Sequence, residues 1–234
     1  MIARELIARA RAVERNALDE HAGKMLLAEY GVAVPQSVTV KNASEVDAAF
    51  AKLHAPVAVK IMSPDILHKS DAGGVKVGLK SAVEVKDAIG AMAASPKISS
   101  ARIDGYLIEE MAPAGQEIVV GGLRDPDFGP LVMVGLGGIF VEVLADVSFR
   151  ICPITRLDAQ EMLAELKGAA ILDGARGMKP VSKDAIVDVL LKVGGENGLL
   201  MQHADDISEA DINPLIASGS GAVAVDARFI LKQN

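Results

Sequence analysis

A lysine and the loop that follows it, near residue 60, have the chemistry of a phosphate-binding site. Residues 56–78 read PVAVKIMSPDILHKSDAGGVKVG, in which Lys60 ends an apolar run and the following loop contains Lys69 and Ser70. A lysine is costly in an apolar strand unless its ammonium reaches water or an anion. It can therefore meet a nucleotide phosphate as a point charge. The alternative is an edge-strand lysine whose head reaches solvent.

Two successive glycines, Gly73 and Gly74, lie in the same loop. Glycine lets the backbone approach a phosphate closely and turn its N–H groups inward. The pair also suits an ordinary tight turn, and the chain has no GxxxxGK[ST] phosphate loop. His68 is a candidate acceptor of a phosphoryl group or a proton, because a neutral imidazole takes either. The alternative is a loop histidine that only makes hydrogen bonds.

Oxygen donors suited to a metal lie near the C-terminus, where Asp211–Asp226 reads DINPLIASGSGAVAVD. Asn213 precedes a proline, which favours an extended backbone, and Asp226 ends the next strand after a Gly-Ser turn. In a hairpin these two side chains would converge on one cation. Amide and carboxylate oxygens suit Mg2+, which takes few protein ligands and completes its shell with phosphates and water. The alternative is two turn-capping residues.

A third polar region follows an apolar strand predicted over Tyr106–Glu110. This strand ends in Glu109, Glu110 and Met111, and Glu117 begins the next predicted strand. Backbone groups at a strand end can read an adenine edge, and a nearby carboxylate can hold ribose hydroxyls. The alternative is an exposed acidic strand end, which is common.

Composition restricts the class of protein. The 234 residues are 50% hydrophobic and carry a net charge of −7, which argues against a general nucleic-acid binder because such binders need a basic face. A single cysteine, Cys152, excludes an intrachain disulfide and a cysteine zinc cluster, and its apolar neighbours favour a core position. The N-terminus does not resemble a secretory signal, and the apolar segment Phe128–Val141 is too short to span a membrane. We expect a cytoplasmic protein with neither a membrane nor a nucleic acid as partner.

Hydrophobic periodicity predicts mixed helices and strands, and hence an α+β fold. Asp19 is expected to cap a helix over Glu20–Tyr30. The polar segment Ser95–Asp104 is the predicted boundary, with residues 1–104 forming an N-terminal lobe and residues 105–234 a C-terminal lobe. The predicted strands are 37–40, 57–61, 75–79, 106–110, 117–123, 131–136, 140–145 and 222–226.

Taken together, these motifs resemble an ATP-grasp domain. They are Lys60, the HKSDAGGV loop, IEEMAPAGQEIVVGG, GGIFVEVL and the DINPL…VD ending. More narrowly, they are similar to the β subunit of NDP-forming acyl-CoA synthetases of the acetate–CoA ligase (ADP-forming) type. The match runs in order from about Glu20 to Leu231. It implies an ATP-grasp fold, in which two α+β lobes grip a nucleotide between them.

The resemblance also implies a role for each candidate residue. The implied nucleotide-binding residues are Lys60, Lys69, Ser70, Gly73, Gly74, Val75, Glu109, Glu110, Met111, Ala112 and Glu117. In that scheme Lys60 and the loop hold the phosphates of ATP or ADP, the segment ending at Ala112 holds adenine, and Glu117 holds ribose. Asn213 and Asp226 would bind Mg2+. Two residues would be catalytic: Asp211 would steady a phosphohistidine, and His68 would be a second phosphate carrier.

The chain lacks two parts that such enzymes need, a CoA-binding domain with a Rossmann glycine fingerprint and a mobile loop with the main phosphorylated histidine. GLGGIF at Gly135–Phe140 lacks the third glycine of that fingerprint. The resemblance therefore implies an α subunit that carries both parts, in an α2β2 assembly. The expected reaction is acyl-CoA + ADP + phosphate ⇌ carboxylate + CoA + ATP. The alternatives are a non-catalytic nucleotide-sensing regulatory subunit and another ATP-grasp carboxylate ligase.

Overall fold

The computed structural model describes residues 2–66, 68–138, 144–175 and 179–233. The chain divides into two compact units, one made of Met1–Val34 with Pro113–Asn234 and the other of Pro35–Ala112. The helices of the described chain are α1 (Ile2–Ala12), α2 (Glu20–Glu29), α3 (Val46–Phe50), α4 (Ala82–Ala94), α5 (Pro96–Ser99), α6 (Arg156–Glu165), α7 (Lys183–Gly194) and α8 (Leu199–Gln202). The strands are β1 (Ala17–Leu18), β2 (Ser37–Val40), β3 (Val57–Met62), β4 (Val75–Leu79), β5 (Gly105–Glu110), β6 (Gln116–Asp125), β7 (Gly129–Leu136), β8 (Val147–Ile151), β9 (Ile207–Ser218), β10 (Gly221–Ala224) and β11 (Ala227–Leu231).

The smaller unit is a four-stranded antiparallel sheet in the order β2-β5-β3-β4. Its helix-packed core contains Val57, Val59 and Ile61 of β3, together with Val85 and Ile89 of α4. Because successive strand residues point to opposite faces, Lys60 lies on the face opposite this core. We call that face the far face of the small sheet.

The larger unit is a seven-stranded antiparallel sheet in the order β1-β11-β9-β6-β7-β8, with β10 paired to β9. One face packs against helices, and its core includes Val120 of β6, Val132 of β7, Ile212 of β9 and Val189 of α7. Residues at alternate positions therefore lie on the opposite face. We call it the far face of the large sheet.

The antiparallel sheets confirm the α+β class, and several local predictions also agree with the structure. Asp19 caps α2, its Oδ1 accepting a hydrogen bond from the Ala22 N–H at 2.9 Å. β4 has the predicted bounds, Val75–Leu79. The strand predicted over 140–145 falls mostly on residues outside the described part of the chain. Within that part, no helix is long and apolar enough to cross a membrane.

The division into units differs from the predicted boundary between residues 104 and 105. The first 34 residues belong to the larger unit, where β1 pairs with β11. Conversely, β5 lies after the predicted boundary but is an inner strand of the small sheet, between β2 and β3. The predicted boundary segment contains α5 and lies inside the smaller unit. The division into units follows from the pairing of strands that are far apart in the sequence. The amino-acid composition of a single segment does not predict such pairing.

Candidate functional site

Lys60 forms a buried ion pair on the far face of the small sheet. Its Nζ lies 2.7 Å from Oε1 of Glu109, and the two side chains are only 7% and 1% exposed. Lys60 is directly opposite Leu107, whereas Glu109 is opposite Ala58. The two residues are therefore diagonal neighbours on one face, a separation that long side chains bridge. Since β3 lies between β5 and β4, Lys60 is not an edge-strand lysine, and that alternative is wrong.

The two consecutive glutamates of β5 have different partners. Oε1 of Glu110 accepts hydrogen bonds from the backbone N–H of His54 and lies 2.8 Å from His54 Nδ1. These contacts lower the pKa of Glu110, the backbone hydrogen bond having the largest effect. The next N–H, that of Met111, donates to the Pro56 carbonyl at 3.3 Å. The Met111 N–H is therefore engaged within the smaller unit, and a role for Met111 toward a base stays a prediction.

The segment between β3 and β4 is held by backbone hydrogen bonds of its own. Gly74 N–H donates to the Lys69 carbonyl at 2.7 Å, and the Gly74 carbonyl accepts from Ile61 N–H at 2.8 Å. A Cβ at Gly74 would lie 2.5 Å from Cδ1 of Ile61, so only glycine allows this close approach. Gly73 has φ +76°, a conformation that also favours glycine. The close approach observed at Gly74 is to Ile61 and Lys69, and the predicted approach of the two glycines to a phosphate stays a prediction.

This segment ends beside the ion pair, because Val75 is directly opposite Lys60. His68 and Ser70 are exposed, and Lys69 is half-buried. The exposed imidazole of His68 is accessible to an incoming group. The structure therefore brings Lys60, the loop up to Val75 and Glu109 together in the smaller unit. Their roles toward a nucleotide stay predictions.

The acidic candidates cluster on the large sheet. Asn213 N–H donates to the Asp226 carbonyl oxygen at 3.2 Å, at the point where β9 stops pairing with β10 and begins to pair with β11. The peptide bond between Asn213 and Pro214 is cis. Asp211 lies two residues earlier on β9, opposite Arg228. The predicted closeness of Asn213 and Asp226 is therefore present in the backbone.

Asp211 has perturbed electrostatics. Asp211 is exposed on the sheet, but the surrounding protein removes part of the water around its carboxyl. This desolvation is the first cause that raises its pKa above the ordinary value and the charge of Asp226 is the next, while Arg228 acts in the opposite direction. Two carboxylates that repel each other favour a bound cation. In the described chain no group of three His, Cys, Asp or Glu side chains is placed to hold a metal ion. One amide and one carboxylate oxygen, from Asn213 and Asp226, are donors of the kind that Mg2+ accepts together with phosphate and water, and their role as its ligands stays a prediction.

Glu117 lies near the start of β6 and is exposed. Its carbonyl accepts a hydrogen bond from Gly137 N–H at 2.8 Å, and a Cβ at Gly137 would lie 2.7 Å from the Cβ of Glu117. The glycines after β7 therefore allow the chain to pass close to this carboxylate. Gly137 of the GLGGIF segment therefore has a structural role, which does not depend on a dinucleotide-binding motif.

A cavity of about 560 Å³ lies on the far face of the large sheet and includes Asp211 and Arg228. Most of its lining residues belong to two cross-strand rows of that face. The first row runs Phe149, Met133, Gly121, Asp211 and Arg228, and the second runs Ile151, Leu131, Leu123, Glu209 and Ile230. We call these the far-face rows.

The far-face rows are unusually apolar for residues that water reaches. Phe149, Ile151 and Leu123 are 48%, 51% and 40% exposed. Sequence reasoning missed them because no strand was predicted over Val147–Ile151 and the two faces of the other predicted strands were not distinguished. The available signal was alternation: Val147, Phe149 and Ile151 share one face of β8, and large apolar residues occupy both faces of β7. Such a patch is typical of an interaction surface.

Cys152 is buried, with 7% of its surface exposed. Burial raises the pKa of its thiol to about 12. A thiol of this kind stays protonated at neutral pH and is not a nucleophile, in agreement with the predicted core position.

Comparison with known proteins adds evidence to this geometry. A family model described as an ATP-grasp domain matches residues 9–231. The chain is 46% identical over 231 residues to the β subunit of acetate–CoA ligase (ADP-forming) I from Pyrococcus furiosus, covering 98% of this chain and 97% of that protein. It is 41% identical over 215 residues to acetate–CoA ligase (ADP-forming) I of Archaeoglobus fulgidus, covering 89% of this chain but only 30% of that protein.

Solved structures of one relative are also similar. The dinucleotide forming acetyl-coenzyme A synthetase 1 of Ca. Korarchaeum cryptofilum, in complex with coenzyme A and Ca-AMPCP, superposes with a TM-score of 0.92 at 42% identity, covering 98% of this chain and 100% of that chain. A second structure of that synthetase has a TM-score of 0.84 at 40% identity, with 98% and 100% of the two chains covered. That structure contains coenzyme A and Mg-AMPPCP, and its phosphohistidine segment points towards the nucleotide binding site.

Proposed function

Because this chain belongs to the ATP-grasp family, we propose that it is the nucleotide-binding β subunit of an ADP-forming acyl-CoA synthetase. The predicted ATP-grasp fold is confirmed by the family match over residues 9–231 and by the TM-score of 0.92. The enzyme is an acid–thiol ligase that runs acyl-CoA + ADP + phosphate ⇌ carboxylate + CoA + ATP. This chain presents ADP for the last phosphoryl transfer.

One observation carries the proposal. The similarity to a named β subunit extends over 98% of this chain and 97% of the relative, at 46% identity. The two clusters of candidate residues support the same function, since one has the chemistry of a phosphate site and the other that of a magnesium site.

The proposed role of the smaller unit is to bind the phosphates and the base. Lys60 offers a fixed positive charge on the far face of the small sheet. Because the N–H groups of Gly73 and Gly74 donate within the loop, the proposed phosphate contacts from the loop are the side chains of Lys69 and Ser70. The carbonyl of Met111 and the backbone of Ala112 are the proposed contacts to adenine. Positioning and charge neutralisation are what phosphoryl transfer requires of a protein.

The proposed role of the larger unit is to hold the metal and receive the phosphoryl donor. Asn213 and Asp226 would bind Mg2+, which supplies charge neutralisation on the phosphates, and Glu117 would bind ribose hydroxyls. Asp211 would accept a hydrogen bond from the imidazole of an incoming phosphohistidine and hold that ring in place. The accessible His68 is the proposed second phosphate carrier.

The function requires an α partner. The chain corresponds to 30% of the length of the single-chain Archaeoglobus ligase, and its full-length relative is named as a β subunit. We place the CoA-binding domain and the main phosphorylated histidine on that α subunit, in a cytoplasmic α2β2 assembly. The exposed apolar side chains of the far-face rows support contact with a partner, since they continue directly to Asp211.

The test is an activity assay on the reconstituted complex. Tagged chain is purified from its own cells together with its bound subunit, and the complex receives acetyl-CoA, ADP, phosphate and Mg2+. We expect ATP formation that depends on all four components, with one CoA thiol released for each ATP. The chain alone should bind Mg-ADP and form no ATP.

Two results would contradict this function. If the complex binds ADP tightly but transfers no phosphoryl group, the chain is a nucleotide-sensing regulatory subunit. If the chain alone joins a carboxylate to an amine at the expense of ATP, it is a different ATP-grasp ligase. Several acyl-CoA thioesters tested in parallel identify the substrate.

A further inference from the structure

We propose that Glu109 is the positioning residue of Lys60, and that its carboxylate acts on the nucleotide through that lysine rather than by reading the adenine base. The proposal rests on the proposed function, because it takes Lys60 as the phosphate-binding cation. It revises the role in which the Glu109 side chain belongs to the adenine site.

The first support is the geometry of the ion pair. The Lys60 ammonium lies 2.7 Å from Glu109 Oε1, and the carboxylate side chain is 1% exposed. A carboxylate at this distance from an ammonium makes a charge-assisted hydrogen bond. At least one of the two carboxylate oxygens of Glu109 is thus engaged with the lysine.

The second support is the cost of burying the lysine alone. Its neighbours on the far face of the small sheet are Ala58, which is 4% exposed, and Leu107, which is 0% exposed. An apolar environment disfavours the charged form of a lysine. Removing its negative partner would either neutralise the amine or move it toward water. Glu109 therefore keeps Lys60 both charged and in place.

The third support is that alternation separates the two consecutive glutamates. Glu110 is engaged by His54, while Glu109 alone of this pair lies on the face of Lys60. Adenine contacts can come from backbone groups of the following residues, which need no carboxylate. The side chain of Glu109 can then hold the cation.

The smaller unit also contains a matched control. Lys86 Nζ lies 2.7 Å from Asp47 Oδ2, the same separation, but these side chains are 36% and 70% exposed. An exposed ion pair contributes little because water and salt screen it. Asp47→Asn therefore removes the carboxylate partner of an exposed lysine, whereas Glu109→Gln removes that of a buried one.

The decisive experiment compares a nucleotide with a ligand that has no base. Binding of Mg-ADP and of Mg-pyrophosphate to the full chain is measured by calorimetry for wild type, Lys60→Met, Glu109→Gln, Glu109→Asp and Asp47→Asn. We expect Glu109→Gln to weaken the binding of both ligands by the same factor, about tenfold. This is the lower end of the loss in affinity when an orienting partner is removed at a metal site. Asp47→Asn should bind both ligands as the wild type does.

A second measurement reports the lysine itself. Modification of Lys60 by an amine-reactive reagent is followed by mass spectrometry as a function of pH. In Glu109→Gln the amine should react at lower pH than in the wild type, because its charged form has lost its partner. Glu109→Asp retains the charge on a side chain that is one methylene shorter, so it should restore the pH profile more completely than the affinity. The Lys86 profile should be the same in Glu109→Gln as in wild type.

The outcomes separate this inference from the proposed function. If Glu109→Gln weakens the binding of ADP and leaves the binding of pyrophosphate unchanged, the carboxylate contacts the base and the inference is wrong. If Glu109→Gln binds both ligands normally, or leaves the pH profile of Lys60 unchanged, the inference also fails. If wild type binds no Mg-ADP, or Lys60→Met binds it as wild type does, the proposed function itself fails. Should Glu109→Gln not fold, Glu109→Asp gives the same comparison with the charge retained.

Discussion

At the scale of single residues, burial and neighbouring charge give similar side chains different chemistry. Glu109 is buried against an ammonium, whereas Glu110 has a lowered pKa because His54 donates to it. Asp211 shows the opposite behaviour, since partial desolvation and a second carboxylate raise its pKa. Its chemistry therefore follows from its place on the large sheet and from the charge of Asp226.

The raised pKa of Asp211 leads to a prediction about pH. A neutral carboxylic acid cannot stabilise a positively charged imidazole, so ATP synthesis by the complex should fall as pH decreases through the raised pKa, which lies above 3.8. Asp211→Asn should reduce the rate about 100-fold and remove this acid limb. The measurement is the pH–rate profile, with Asp205→Asn as control because the Asp205 side chain is 93% exposed.

The same substitution should affect stability in the opposite direction. For an acid whose pKa is higher in the folded state, folding becomes less favourable as pH rises from the unfolded value through the folded one. At neutral pH, Asp211→Asn removes this penalty and should raise the melting temperature, whereas near pH 3 the two proteins should melt together. A lower melting temperature for the variant at pH 7 would disprove the electrostatic account.

At the scale of elements, the loop between β3 and β4 has a conformation that its own packing determines. The chain returns toward β3 so closely at Gly74 that Ile61 occupies the space of a side chain. Ile61 is 1% exposed, so it cannot move aside without disturbing the core of the smaller unit. The loop and the strand that carries Lys60 are therefore coupled through one glycine.

Gly74→Ala should destabilise the protein by about 1–3 kcal/mol, the usual cost of overpacking. It should also weaken the binding of Mg-ADP, because the loop shifts away from Lys60. Gly90→Ala is the matched control: it lies in α4, and a Cβ there would meet nothing within 4 Å. That change should stabilise the helix by about 1 kcal/mol and leave Mg-ADP binding unchanged. Urea unfolding and calorimetry measure both effects. Equal stability of Gly74→Ala and wild type would show that the loop relaxes freely.

At the scale of the whole molecule, the two units differ in whether they consist of one continuous segment of the chain. The smaller unit is continuous, from Pro35 to Ala112, whereas the larger unit combines the first 34 residues with the C-terminal part. The far-face rows belong to the larger unit, and they join exposed apolar side chains to Asp211. In the proposed function, a partner that brings a phosphohistidine to Asp211 would have this apolar surface beside that residue.

Phe149→Ser should therefore weaken association with the α subunit by about tenfold or more, as expected for a buried aromatic anchor of an interface. Val83→Ser is the control, because Val83 is 65% exposed on α4 of the smaller unit. Binding is measured by titration of the purified subunits. Both variants should retain Mg-ADP affinity, which shows that they fold. Undiminished association of Phe149→Ser would exclude the far-face rows as the contact surface.

Local chemistry and local structure are largely determined by the sequence. The cap at Asp19, the bounds of β4 and the presence of a lysine before a glycine-containing loop follow from periodicity and turn residues, because these signals act between neighbours in the chain. The resemblance then identified the family from motifs spread over most of the sequence.

Only the tertiary structure decided which distant residues meet. It paired Lys60 with Glu109, placed Asn213 against the backbone of Asp226 and assigned the first 34 residues to the larger unit. Each of these outcomes depends on strand order and register between segments far apart in the chain. Register is set when whole faces are buried together, so the sequence of any one segment does not contain it.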